Sequence, residues 1–99
     1  MNKYELEAFL KIFLKRLAFF ENYLDDLRLK VHREDDELII NAQRLITMTK
    51  EQIYLQLEKP EILAQDTQET SKKYAAIERS FKELYLKFVD SFNTGAPHA

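Results

Sequence analysis

Residues 3–31 read KYELEAFLKIFLKRLAFFENYLDDLRLKV, and their spacing decides the fold. Leu6, Leu10, Phe13, Leu17, Phe20, Leu24, Leu27 and Val31 follow one another at intervals of 4, 3, 4, 3, 4, 3 and 4. That alternation brings every member to one face of an α-helix. Neither proline nor glycine interrupts it, so the stretch predicts one continuous helix about 45 Å long at 1.5 Å per residue. The pattern breaks at HREDDE, residues 32–37, where Asp35 or Asp36 is placed to cap a second helix.

Residues 37–58 predict that second helix, with Leu38, Ala42, Leu45, Ile46, Thr49, Ile53 and Leu57 on one face. Thr49-Lys50-Glu51-Gln52 also reads as a capping box that would divide it. The stripe runs through Thr49 in phase, which favours one helix, ended by Pro60. For residues 61–73 two starts stand open: Pro60 at a first helical position, or Asp66-Thr67-Gln68-Glu69 as a cap. The third helix is marked by Tyr74, Ile77, Phe81, Leu84, Tyr85, Phe88 and Phe92, and Asn93-Thr94-Gly95-Ala96-Pro97 stops it.

Composition agrees. One glycine and two prolines are too few for the frequent turns of a sheet protein. With 45% hydrophobic and 32% charged residues, the 99-residue chain can form one core under a solvated exterior. The expected architecture is all-α: a three-helix antiparallel (up-down-up) bundle or coiled coil with long helices. Residues 1–93 would form a single domain, and 94–99 a flexible C-terminal tail.

Helix 1 carries more apolar surface than a seam requires. On a helical wheel Phe19, Ile12, Phe9, Phe20, Phe13, Leu17, Leu10 and Leu14 sweep roughly 220°, against roughly 140° for the third helix, where Leu86 falls outside the stripe. Helix 1 could simply be the inner helix of the chain's own core. The width also suits an interface, either with a second copy or with a groove on another protein. Phe9, Ile12, Phe13, Phe19, Phe20 and Tyr23 are then the predicted protein-interface anchors, since aromatic side chains often dominate such contacts. Tyr54, Met48 and Leu55 point away from the helix 2 stripe and offer a second patch, although scattered surface apolar residues are normal.

Signals for chemistry are weak. Without cysteine there is no disulfide, thiolate nucleophile or cysteine-ligated metal. His32 and His98 lie at a helix junction and in the tail, with no second histidine at helical spacing to complete a metal site. Ser71, Ser80 and Ser91 have no histidine near in sequence. The lone glycine, Gly95, rules out a phosphate loop. The acidic run Glu34–Glu37 lacks the central glycine of a calcium loop. Net charge is −2, too balanced to draw nucleic acid. Glu5, Glu7, Lys11, Lys15 and Arg16 interrupt every apolar run in 4–24, so neither a secretory leader nor a membrane span is expected.

These observations predict a cytoplasmic, non-catalytic helical interaction module: an adaptor, regulator or assembly factor. No cofactor, metal or small-molecule substrate is expected. Its partner would be a protein, a homodimer through the aromatic face of helix 1 being the leading form. The alternative is a small chaperone that shields an amphipathic helix of a client, which requires a groove open in the monomer.

Overall fold

The structure, a computed structural model, describes residues 2–30, 36–59, 61 and 66–92. Within them the fold is all-α, with three helices: α1 (Lys3–Arg28), α2 (Asp36–Glu58) and α3 (Thr67–Phe92). Val31, the capping position Asp35, both histidines and the expected tail 94–99 lie outside the described residues. None of the helices among the described residues is long and apolar enough to cross a membrane.

Helix α1 starts on a capping box that the sequence reading passed over. The Asn2 side chain accepts the Glu5 backbone N–H at 2.9 Å, and Glu5 Oε1 accepts the Asn2 N–H at 3.4 Å. The helix closes with a tightened turn, in which Leu29 and Lys30 N–H groups donate to the Asp26 and Leu27 carbonyls. Helix α2 is unbroken. Thr49 does not cap a new helix; its hydroxyl donates to the Leu45 carbonyl one turn back, at 2.8 Å. Helix α3 starts on the Asp66 signal, whose Oδ1 accepts the Glu69 N–H at 3.1 Å; the start expected at Pro60 lies outside the described residues.

Cross-helix contacts fix the directions. Asp25 meets Gln43 and Glu21 meets Lys50, so α2 runs antiparallel to α1. Phe13 meets Phe81 and Phe20 meets Phe88, so α3 runs parallel to α1. The course is therefore up-down-up. Close helix contact is concentrated along α1, which packs on both others, while α2 and α3 approach one another less closely.

The core follows from this arrangement. Leu6, Leu10, Phe13, Leu17, Phe20, Leu24 and Leu27 of α1 are all buried, as the seam predicts. From α2 come Ile39, Ala42, Ile46 and Ile53; from α3, Tyr74 and Phe88, with Ile77, Phe81, Leu84, Tyr85 and Phe92 half-buried against them. One part of the helix 2 expectation is corrected here. Leu38 and Leu45 are exposed, and Ile39 occupies the core instead. The true seam of α2 is Ile39, Ala42, Ile46, Thr49, Ile53 and Gln56, spaced 3, 4, 3, 4 and 3. Thr49 belongs to it as expected, whereas the polar Gln56 hides its C-terminal end from a hydrophobicity pattern.

Candidate functional site

Because α1 and α3 run side by side in the same direction, their aromatic residues meet level by level. Phe20 contacts Phe81, Tyr85 and Phe88, all edge-on, at 6.3, 5.5 and 6.1 Å between centroids. Edge-to-face contact is the arrangement that ring quadrupoles favour. These rings leave an open cleft of about 350 Å³ between the helices, lined by Phe13, Phe19, Phe20, Phe81 and Tyr85 together with Arg16, Leu17, Glu78 and Lys82. Arg16 bridges it through an ion pair with Glu78. The Arg16 side chain is largely exposed, so this pair spans the cleft without adding much stability.

The six predicted interface residues separate into three kinds. Phe13 and Phe20 are 1% and 4% exposed in the single chain and line the cleft from within the core. The aromatic stripe of α3 covers them. Phe9 and Tyr23 are half-buried against the core. Ile12 and Phe19, at 50% and 63% exposure, remain on the surface. Phe19 lies on the cleft wall with its ring 6.1 Å from Tyr85.

Sequence reasoning missed the α3 side of this face. Tyr85 completes the wall, Lys82 stands at the rim, and Leu86 is 52% exposed beside them. The departure of Leu86 from its own stripe was the signal that could have found it. On α2, Met48, Tyr54 and Leu55 are exposed as expected, and Leu38 and Leu45 join them.

Two groups have shifted acidity. Burial, and then the neighbouring Tyr85, raises the Tyr23 phenol above its ordinary value; burial alone raises that of Tyr74. The hydroxyls of Ser71 and Ser80 donate to the carbonyls of Thr67 and Ala76 in their own helix. Among the described residues, no group of three or more His, Asp or Glu is placed to hold a metal ion. What the cleft can do chemically is take up an apolar or aromatic side chain between two cations and one carboxylate. No protein-family model, curated protein or solved structure matches the chain.

Proposed function

We propose that this chain is a non-catalytic protein-interaction module that associates with itself through the aromatic face of α1. The observation that carries the reading is the exposure of Phe19, 63%, at the wall of an open aromatic cleft, with Ile12 two turns before it on the same face. Each large apolar side chain left in water forgoes about 1.5–3 kcal/mol of burial energy, and association recovers it. Placement in the cytoplasm belongs to the same proposal.

Light scattering across a concentration series tests it. The expected result is a mass above that of the 11.8 kDa monomer, reduced to the monomer by Phe19→Asp while the helical circular dichroism is kept. A monomer at every concentration would remove the self-associating form. A second reading draws on the cleft's being open in a single chain, as a client-shielding chaperone requires. It predicts a stable complex between one copy of this chain and one amphipathic helix, blocked by the same substitution.

A further inference from the structure

On the exposed surface of α3, Lys82, Leu86 and Asp90 follow one another at intervals of one helical turn. The exposed residues Lys15, Phe19 and Asp26 of α1 repeat that order: cation, apolar centre, anion. Because the helices are parallel, with Phe19 level with Tyr85, the two series lie side by side. The face they share has Lys15, Lys82 and the Arg16–Glu78 ion pair at one end, Phe19 and Leu86 at its centre, and Asp26 and Asp90 at the other end. Glu5 and Lys30, further out on the α1 part of this face, continue the alternation of sign.

A face whose charges change sign about its centre is complementary to its own reversed copy. We propose that two copies of the chain pair through it with isologous two-fold symmetry. The inference rests on the self-associating reading above and specifies its geometry. The axis lies in the interface and crosses the helices at right angles at the level of Phe19 and Leu86. Each helix then faces its own copy running the other way. Phe19 and Leu86 meet their counterparts at the centre, Lys82 of each copy meets Asp90 of the other, and Lys15 meets Asp26. A two-fold axis along the helices is disfavoured, since it would set Lys82 of one copy against Lys15 of the other. Like charges placed face to face select against that pairing.

Charge reversal in the full chain, read by sedimentation over a concentration series, tests the geometry. Lys82→Asp and Asp90→Lys should each weaken the dimer by about tenfold or more, since symmetry repeats every changed pair. The double variant Lys82→Asp/Asp90→Lys restores opposite signs and should return the dissociation constant close to the starting value. Both substituted positions are exposed, and unchanged thermal unfolding of the dilute protein checks that the fold is kept. Weakening by both single changes with restoration by the double supports the proposal. A dimer indifferent to the single changes, or one broken by them and not restored, or one broken by Leu45→Glu on α2 instead, overturns this geometry and leaves self-association standing. A wild-type chain that stays monomeric to millimolar concentration, or is monomeric until a helical peptide fills the cleft, overturns both.

Discussion

Phe19 and Phe20 are adjacent in sequence and both touch the ring of Tyr85, at 6.1 and 5.5 Å, yet one is 63% exposed and the other 4%. A step of one residue turns a helix by about 100°. That turn carries the chain from the core seam to the open face of the cleft. Tyr85 spans the boundary, half-buried, with one phenylalanine below it and one beside it.

The first prediction uses this pair. Phe20→Ala removes three ring contacts and opens a cavity beneath α3, and is expected to cost about 3–5 kcal/mol. Phe19→Ala leaves the core intact and is expected to cost no more than about 1 kcal/mol. Lys15→Ala, on the exposed surface, should change little. Urea denaturation of dilute protein measures all three. Equal losses for Phe19 and Phe20 would contradict the assigned seam.

Gln56 provides the second. Its Oε1 is buried and accepts no hydrogen bond from the described residues. An unmet buried acceptor costs about 1–3 kcal/mol. Gln56→Leu, of similar size and in the seam of α2, is expected to raise stability by roughly 1 kcal/mol. A loss of stability would show that the amide has a partner that matters.

The start of α3 gives a third. Asp66→Ala removes the acceptor of the Glu69 N–H and should cost about 1 kcal/mol, with faster hydrogen exchange confined to the first turn of that helix. Asp66→Asn, which still caps, should cost much less. Equal effects of the two would argue against capping.

Alkaline pH gives a fourth. Tyr74 is buried and its phenol is harder to ionise than in the unfolded chain. A raised folded-state pKa contributes stability in full below the unfolded value of about 10, and the contribution is lost as pH rises through the folded value. Stability should therefore fall above about pH 10, and Tyr74→Phe should make that fall shallower. Tyr23, exposed to the same influence of burial, acts in the same direction. Thermal unfolding from pH 8 upward reads the slope, and an identical slope in the two proteins would refute the role of Tyr74.

Legibility in the sequence differed by helix for physical reasons. The seam of α1 could be read residue by residue because every member is apolar. That of α2 is less legible: the exposed neighbours Leu38 and Leu45 are as apolar as Ile39, and Gln56, a polar member, breaks the apolar rhythm at its end. The breadth of apolar surface on α1 was also legible, but not its division. Whether Phe13 or Phe19 meets water depends on how α3 is turned about its own axis, which is a property of the packed pair of helices. The candidate face shows the same limit. Its α1 half was visible as an excess of large apolar residues, whereas Lys82, Tyr85 and Leu86 acquire their meaning only when α3 lies alongside.

The parallel course of α3 beside α1 has a consequence for synthesis. Phe13 and Phe20 are made early, but the rings that shelter them, Phe81, Tyr85 and Phe88, follow roughly two thirds of the chain's length later. In a chain growing from its N-terminus, α1 and α2 can form a hairpin while one flank of α1 stays bare. Until α3 leaves the ribosome, that bare flank exposes Phe13 and Phe20 to other chains. Any nascent-chain binder selective for aromatic helices would find it there and lose it once α3 docks.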